Sequence, residues 1–170
     1  MDLKKLIIDV PNFPKPGIQF KDITPLLANS VTFKQVVKQL EEIVKSFKSD
    51  VIVAPEARGF IFATPVASGL GLGFVPIRKS DKLPRAVIHK SYELEYNKST
   101  LAIHKDAIVP GMKVVIVDDL LASGGTIDAI INLIEELQGE VIAAVFVIEL
   151  TSFKAREQFP NLKIESLIQY

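Results

Sequence analysis

The 170-residue chain contains no cysteine. That excludes a disulfide framework, a cysteine nucleophile and any thiolate metal site. It also lacks an excess of either charge: 20 Lys and Arg stand against 20 Asp and Glu, a formal net charge of zero. Nucleic-acid binders ordinarily carry a basic surplus, so the balance argues against that class, although an average conceals local excess. Met1 to Asp9 includes lysines but no sustained apolar run, so it does not read as a secretory signal. No repeat, low-complexity tract or linker divides the sequence, and a single domain over residues 1–170 is expected.

One stretch, Gly59 to Ile77, has no charged residue. It holds Pro65, Pro76 and glycines at 59, 69, 71 and 73, which suit a buried helix, a turn and a strand better than a membrane span. The sequon Asn97-Lys98-Ser99 carries no weight without an export signal. The expected address is cytoplasmic, with no membrane partner.

What is present is apolar material, 48% of the residues. A chain of this size buries roughly 70% of its unfolded surface, enough for a core without metal or disulfide support. Phe33, Val36, Val37, Leu40, Ile43, Val44 and Phe47 recur at helical spacing. Val51 to Ala54, Phe74 to Ile77, Lys113 to Val117 and Val141 to Ile148 read as buried strands. Helices are expected across Phe60 to Leu70 and Thr126 to Leu137. From about Ser80 to Asp106 the texture turns polar and alternating, which suggests a β-ribbon or flap projecting from the core. The alternation of strands and helices predicts an α/β fold, a parallel sheet with helices on both faces. Ligands then belong at the carboxyl ends of the strands.

The most informative segment is Val114-Val115-Ile116-Val117-Asp118-Asp119-Leu120-Leu121-Ala122-Ser123-Gly124-Gly125-Thr126. An apolar strand gives way to two carboxylates, a turn of small residues and a helix. Gly124 and Gly125 permit close backbone approach. The N–H groups of the turn and the helix start form an anion pocket, and Ser123 and Thr126 add hydroxyls. Adjacent carboxylates would repel a phosphate unless they face ribose hydroxyls or a divalent cation. The alternative is an ordinary connection in which Asp caps the helix. No Gly-Lys-Ser/Thr closes a Walker loop, and Gly69, Gly71 and Gly73 are spaced wrongly for a dinucleotide fingerprint.

Val114 to Thr126 resembles the phosphoribosyl-diphosphate-binding segment of the type I phosphoribosyltransferase family. Pro16 to Pro25, Glu56-Ala57-Arg58-Gly59-Phe60, Val75 to Lys79, Lys82-Leu83-Pro84, Tyr92 to Tyr96 and Asp118 to Ala122 are similar, in order, to its adenine phosphoribosyltransferase branch. The resemblance implies the type I fold, with a small N-terminal hood over about residues 1–30 and a flexible flap over about 80–106. It implies transfer of phosphoribose from 5-phosphoribosyl 1-diphosphate to N9 of adenine, giving AMP and pyrophosphate in purine salvage. Mg2+ would be carried in largely by the donor, with water-mediated contact to Asp118 or Asp119 left open. A homodimer is implied as well.

The same resemblance assigns residues. Asp118 and Asp119 would hold the ribose hydroxyls, and Ala122, Ser123, Gly124, Gly125 and Thr126 the 5′-phosphate. Arg58 would clamp the diphosphate, where a solitary arginine otherwise reads as a surface ion pair. Arg78, Lys79, Lys82, Arg85 and Lys90 share thirteen residues with one acid, Asp81. By itself such a run is solvated surface or a nucleic-acid patch; the family points to Arg78, Lys79 and Lys82 as donor-binding. Glu95 would exchange a proton with adenine N7, although on a hairpin it also reads as a wet-side charge. The C=O of Gln19 and N–H of Lys21 would match the N6 donor and N1 acceptor of adenine, with Phe20 against the ring. Lys at position 21 and Asn97 after Tyr96 depart from the commoner Arg and Gly. His89 and His104 receive no ligand role. A regulator that kept the pocket and lost catalysis would need a DNA-binding module, for which the sequence offers no segment.

Overall fold

A computed structural model of the chain describes residues 3–94 and 97–170. The chain forms two compact units, Met1–Gln39 and Leu40–Tyr170. In the first, β1 (Ile8–Pro11) pairs antiparallel with β2 (Gln19–Asp22), setting Asp9 opposite Lys21. Between them Gly17, at φ +88°, donates its N–H to Asn12 Oδ1 at 2.9 Å. The rings of Phe13 and Phe20 meet edge to face, 5.1 Å between centroids. After α1 (Thr24–Ala28), Asn29 Oδ1 accepts from the N–H and hydroxyl of Thr32, fixing the start of α2 (Ser30–Ser46). Val36, Leu40 and Val44, four residues apart, are the fully buried stripe that the periodicity predicts.

The second unit is built on five parallel strands in the order β4-β3-β7-β8-β9. These are β3 (Val51–Pro55), β4 (Gly73–Ile77), β7 (Lys113–Leu121), β8 (Glu140–Glu149) and β9 (Lys163–Gln169). Helix α3 (Arg58–Leu70) links β3 to β4, and α4 (Gly125–Glu136) links β7 to β8. Strand parity sorts the core. Val53, Ile116, Ala144 and Phe146 pack with Ile127, Ile130, Leu133 and Ile134 of α4. Ile52, Ala54, Val115 and Val117 have the opposite parity and are equally buried, on the face where α3 supplies Phe62, Ala63 and Val66. Helix α3 continues through Pro65, and no helix among the described residues is long and apolar enough to cross a membrane.

The predicted ribbon is β5 (Val87–Leu94) with β6 (Asn97–His104), antiparallel from Val87↔His104 to Leu94↔Asn97. Its base is core rather than projection: Leu101, Ala102 and Ile103 are buried, and the Ala102 backbone exchanges both hydrogen bonds with Arg78. One further expectation needs correction, and one strand goes beyond the sequence reading. Strand β7 does not end at Val117 but carries Asp118 and Asp119 on to Leu121, because β8 keeps pairing alongside, Asp118 with Phe146 and Leu121 with Glu149. Strand β9 was not anticipated. It is an edge strand whose Ile164 and Ile168 are buried while Lys163, Glu165 and Gln169 face water, so it shows no continuous apolar run.

Candidate active site

Because the strands are parallel, their carboxyl ends share one edge, and the loops leaving β3, β4 and β7 gather there. Asp118 and Asp119 are both buried, 9% and 4% exposed. Asp118 Oδ1 accepts the N–H of Asp119 at 2.8 Å. Arg58, the first residue of α3, places Nε 3.0 Å from Asp119 Oδ2. Gly59 makes this approach possible: a β-carbon there would stand 2.8 Å from Asp118 Oδ1 and 3.1 Å from Pro55 Cδ. Any other residue would push the helix start off the acidic pair.

Burial pushes the Asp118 carboxyl well above its ordinary value, and the neighbouring Asp119 charge pushes it further. Burial raises Asp119 as well, against the pull of Arg58. The pair therefore favours whatever brings protons, hydrogen-bond donors or positive charge to it. Ribose hydroxyls and a donor-borne divalent cation both fit that demand. Among the described residues no group of three or more His, Asp or Glu could hold a metal by itself.

Glu56, which received no role from the sequence, links two of the loops. Its N–H donates to Ile77 O at 2.9 Å. Its Oε2 accepts from Arg78 Nε and Nη2 at 3.1 and 2.9 Å, and Oε1 accepts the Lys79 N–H at 2.8 Å. Burial works against the Glu56 charge, but the Lys79 N–H and the Arg78 guanidinium outweigh it and hold the carboxyl below its ordinary value. Arg78 Nη1 also donates to Lys82 O at 3.3 Å. Arg78 is thus anchored at the end of β4, with the exposed Lys79 beside it. Lys82 lies 3.6 Å from Asp81 in an exposed pair. Glu56 stood within the Glu-Ala-Arg-Gly-Phe motif, yet no spacing rule couples it to residues 22 positions on.

The turn after β7 takes the predicted form. Gly124 precedes α4 at φ +91°, and no side chain caps the helix start. Ala122, Ser123, Gly125 and Thr126 flank it, all half-buried. The backbone N–H groups of the first turn are therefore the natural anion donors.

Gln19, Phe20 and Lys21 belong to the first unit. The Lys21 ammonium sits 2.5 Å from Asp9 Oδ1 with its side chain 9% exposed, so its charge is spent on the β-ribbon of that unit. Glu95 and Tyr96 lie outside the described residues. His104 is buried with Nδ1 lacking a hydrogen-bond partner, and His89 is exposed.

Comparison with known proteins places the chain in a class. The profile of the phosphoribosyl transferase domain matches residues 23–167. An adenine phosphoribosyltransferase of Lactobacillus gasseri is 54% identical over 170 residues, covering 100% of this chain and 97% of the relative. The crystal structure of adenine phosphoribosyltransferase from Thermoanaerobacter pseudethanolicus superposes with a TM-score of 0.95 at 48% identity, covering 99% of this chain and 98% of that one. That from Saccharomyces cerevisiae, complexed with an imino-altritol bisphosphate and adenine, gives 0.89 at 39% identity over 98% and 96%. The chain belongs to the phosphoribosyltransferases and, within them, to the adenine phosphoribosyltransferase family.

Proposed function

We propose that the chain transfers the phosphoribosyl group of 5-phosphoribosyl 1-diphosphate to N9 of adenine, releasing AMP and pyrophosphate. The observation that carries the chemistry is the buried Asp118–Asp119 pair, with Arg58 against Asp119 and the uncapped start of α4 following β7. Breaking the bond from the anomeric carbon to the diphosphate leaves positive charge on the sugar and negative charge on the leaving group. The carboxylates accept hydrogen bonds from the ribose hydroxyls, and their field favours the cationic sugar. Arg58, Arg78, Lys79 and Lys82 face the departing diphosphate, with Glu56 orienting Arg78 and the Lys79 backbone. Ala122 to Thr126 hold the 5′-phosphate.

Adenine is selected by the backbone C=O of Gln19 and N–H of Lys21, with Phe20 against the ring. Hypoxanthine presents the reverse donor–acceptor order and leaves both groups unpaired. Glu95 exchanges a proton with N7 as N9 bonds. Mg2+ would enter with the donor, with Asp118 and Asp119 as the carboxylates nearest to it, and would supply charge neutralisation at the diphosphate. The protein acts as a cytoplasmic homodimer in purine salvage, with no nucleic-acid or membrane partner. Incubation with adenine and the donor, with chromatography for AMP and pyrophosphate, tests the reaction. Stoichiometric formation of both, abolished by chelator, is expected; no AMP under saturating conditions would refute it.

A further inference from the structure

We infer that Gln158 is a positioning residue for the 5′-phosphate loop, acting through the Ser123–Gly124 peptide; this rests on the assignment of Ala122–Thr126 to that phosphate. Gln158 closes α5 (Ala155–Gln158), a short helix between β8 and β9, and its Nε2 donates to Ser123 O at 2.9 Å. A trans peptide directs its C=O and its N–H to opposite sides. The Ser123–Gly124 bond is not among the cis peptides. Holding the Ser123 carbonyl toward α5 therefore turns the Gly124 N–H to the other side of the loop, where it joins the helix-start donors.

The loop is backed on the same side by packing. A β-carbon on Gly124 would lie 2.9 Å from Phe159 Cε2 and 3.6 Å from Ala155 Cβ, so this segment stands directly against the glycine. One helical turn does not hold itself in place. Arg156 anchors it: Nε and Nη2 fork onto Glu149 Oε1 and Oε2 at 2.7 and 2.8 Å, and Nη1 reaches Ile164 O at 2.5 Å. Ser166 Oγ completes the seat by donating to Glu149 Oε2 at 2.6 Å. A rigid sheet end, β8 with β9, thereby sets the position of α5, and Gln158 passes that position to the loop. Its exposed side chain makes a role in the core an insufficient explanation for its placement.

The test uses the full chain and steady-state kinetics in both substrates. Gln158→Ala removes the donor, and Gln158→Lys keeps a donor of similar reach. The alanine variant is expected to raise KM for phosphoribosyl diphosphate about fivefold, the worth of one hydrogen bond. KM for adenine, kcat and Tm should stay near wild type, and the lysine variant should recover most of the loss. An unchanged donor KM in Gln158→Ala overturns the proposal. So does a parallel rise in both KM values with a falling Tm, which marks a merely structural role. Thr126→Val, within the loop itself, separates the two levels. If it raises donor KM while Gln158→Ala is silent, the positioning role alone fails. If Thr126→Val is silent too, the phosphate assignment fails and takes the proposal with it.

Discussion

Asp118→Asn should make the ligand-free protein more stable while making it a worse enzyme. Both carboxylates of the pair are buried, and Arg58 against Asp119 Oδ2 is the one cation in ion-pair contact with either among the described residues. At an effective dielectric of about 20, two unit charges about 4 Å apart repel by roughly 4 kcal/mol. Arg58 offsets part of that, and Asp118 sheds more by holding a proton to well above the ordinary aspartate range. Relief of about 2 kcal/mol is a reasonable remainder. The amide keeps an acceptor for the Asp119 N–H, so the local hydrogen bond survives.

For a chain of this size that gain corresponds to about 4–8 °C in Tm. The pH dependence has a definite sign. A carboxyl whose folded-state value is raised favours folding on its acid side, and that stability is lost as the pH climbs through the raised value. The melting temperatures of wild type and variant should therefore converge as the pH falls toward the ordinary value of 3.8 and separate as it rises. Thermal melts without substrate across that range provide the assay. A variant that melts at or below wild type at neutral pH, or a gap independent of pH, would mean that the two carboxylates do not repel in the folded state. The expected trade of stability against turnover follows from placing like charges where the sugar must bind.

Other substitutions probe the glycine turn, the α5 anchor and the flap glutamate. Gly124→Ala forces a β-carbon into left-handed backbone and against Phe159, and should cost about 1–2 kcal/mol in denaturant melts together with a higher donor KM. Glu149→Gln should cost about 2 kcal/mol at neutral pH. Its carboxyl is held low by the Arg156 fork, so this contribution is present above 4.5 and disappears as acid titrates the group, and melts at both ends of the range would show it. Glu95→Ala should lower kcat by about 100-fold with donor KM little changed, and near-normal turnover would remove its proton-transfer role.

The acidic strand end and glycine turn were legible because a strand buried on both faces reads as an unbroken apolar run. Two carboxylates interrupting such a run are conspicuous, even though β7 proved four residues longer than the run itself. Helix α2 and the central strands were legible for the same reason, period and apolar continuity. Strand β9 was not, since an edge strand shares its residues between core and water. Glu56 and Gln158 were invisible for a different reason. Each acts through hydrogen bonds to residues 22 to 35 positions away, and no local period registers contacts of that separation. At Lys21 the sequence reading assigned only the backbone N–H, and the fold pairs the ammonium with Asp9.

This chain joins adenine, rather than a 6-oxopurine, to phosphoribose. Measuring kcat/KM for adenine and for hypoxanthine with the same donor tests it most directly. Because the wrong base would leave the Gln19 C=O and Lys21 N–H proposed to read it unpaired, adenine should be preferred by about 10⁴ or more. Comparable values for the two bases, or a preference for hypoxanthine, would contradict it.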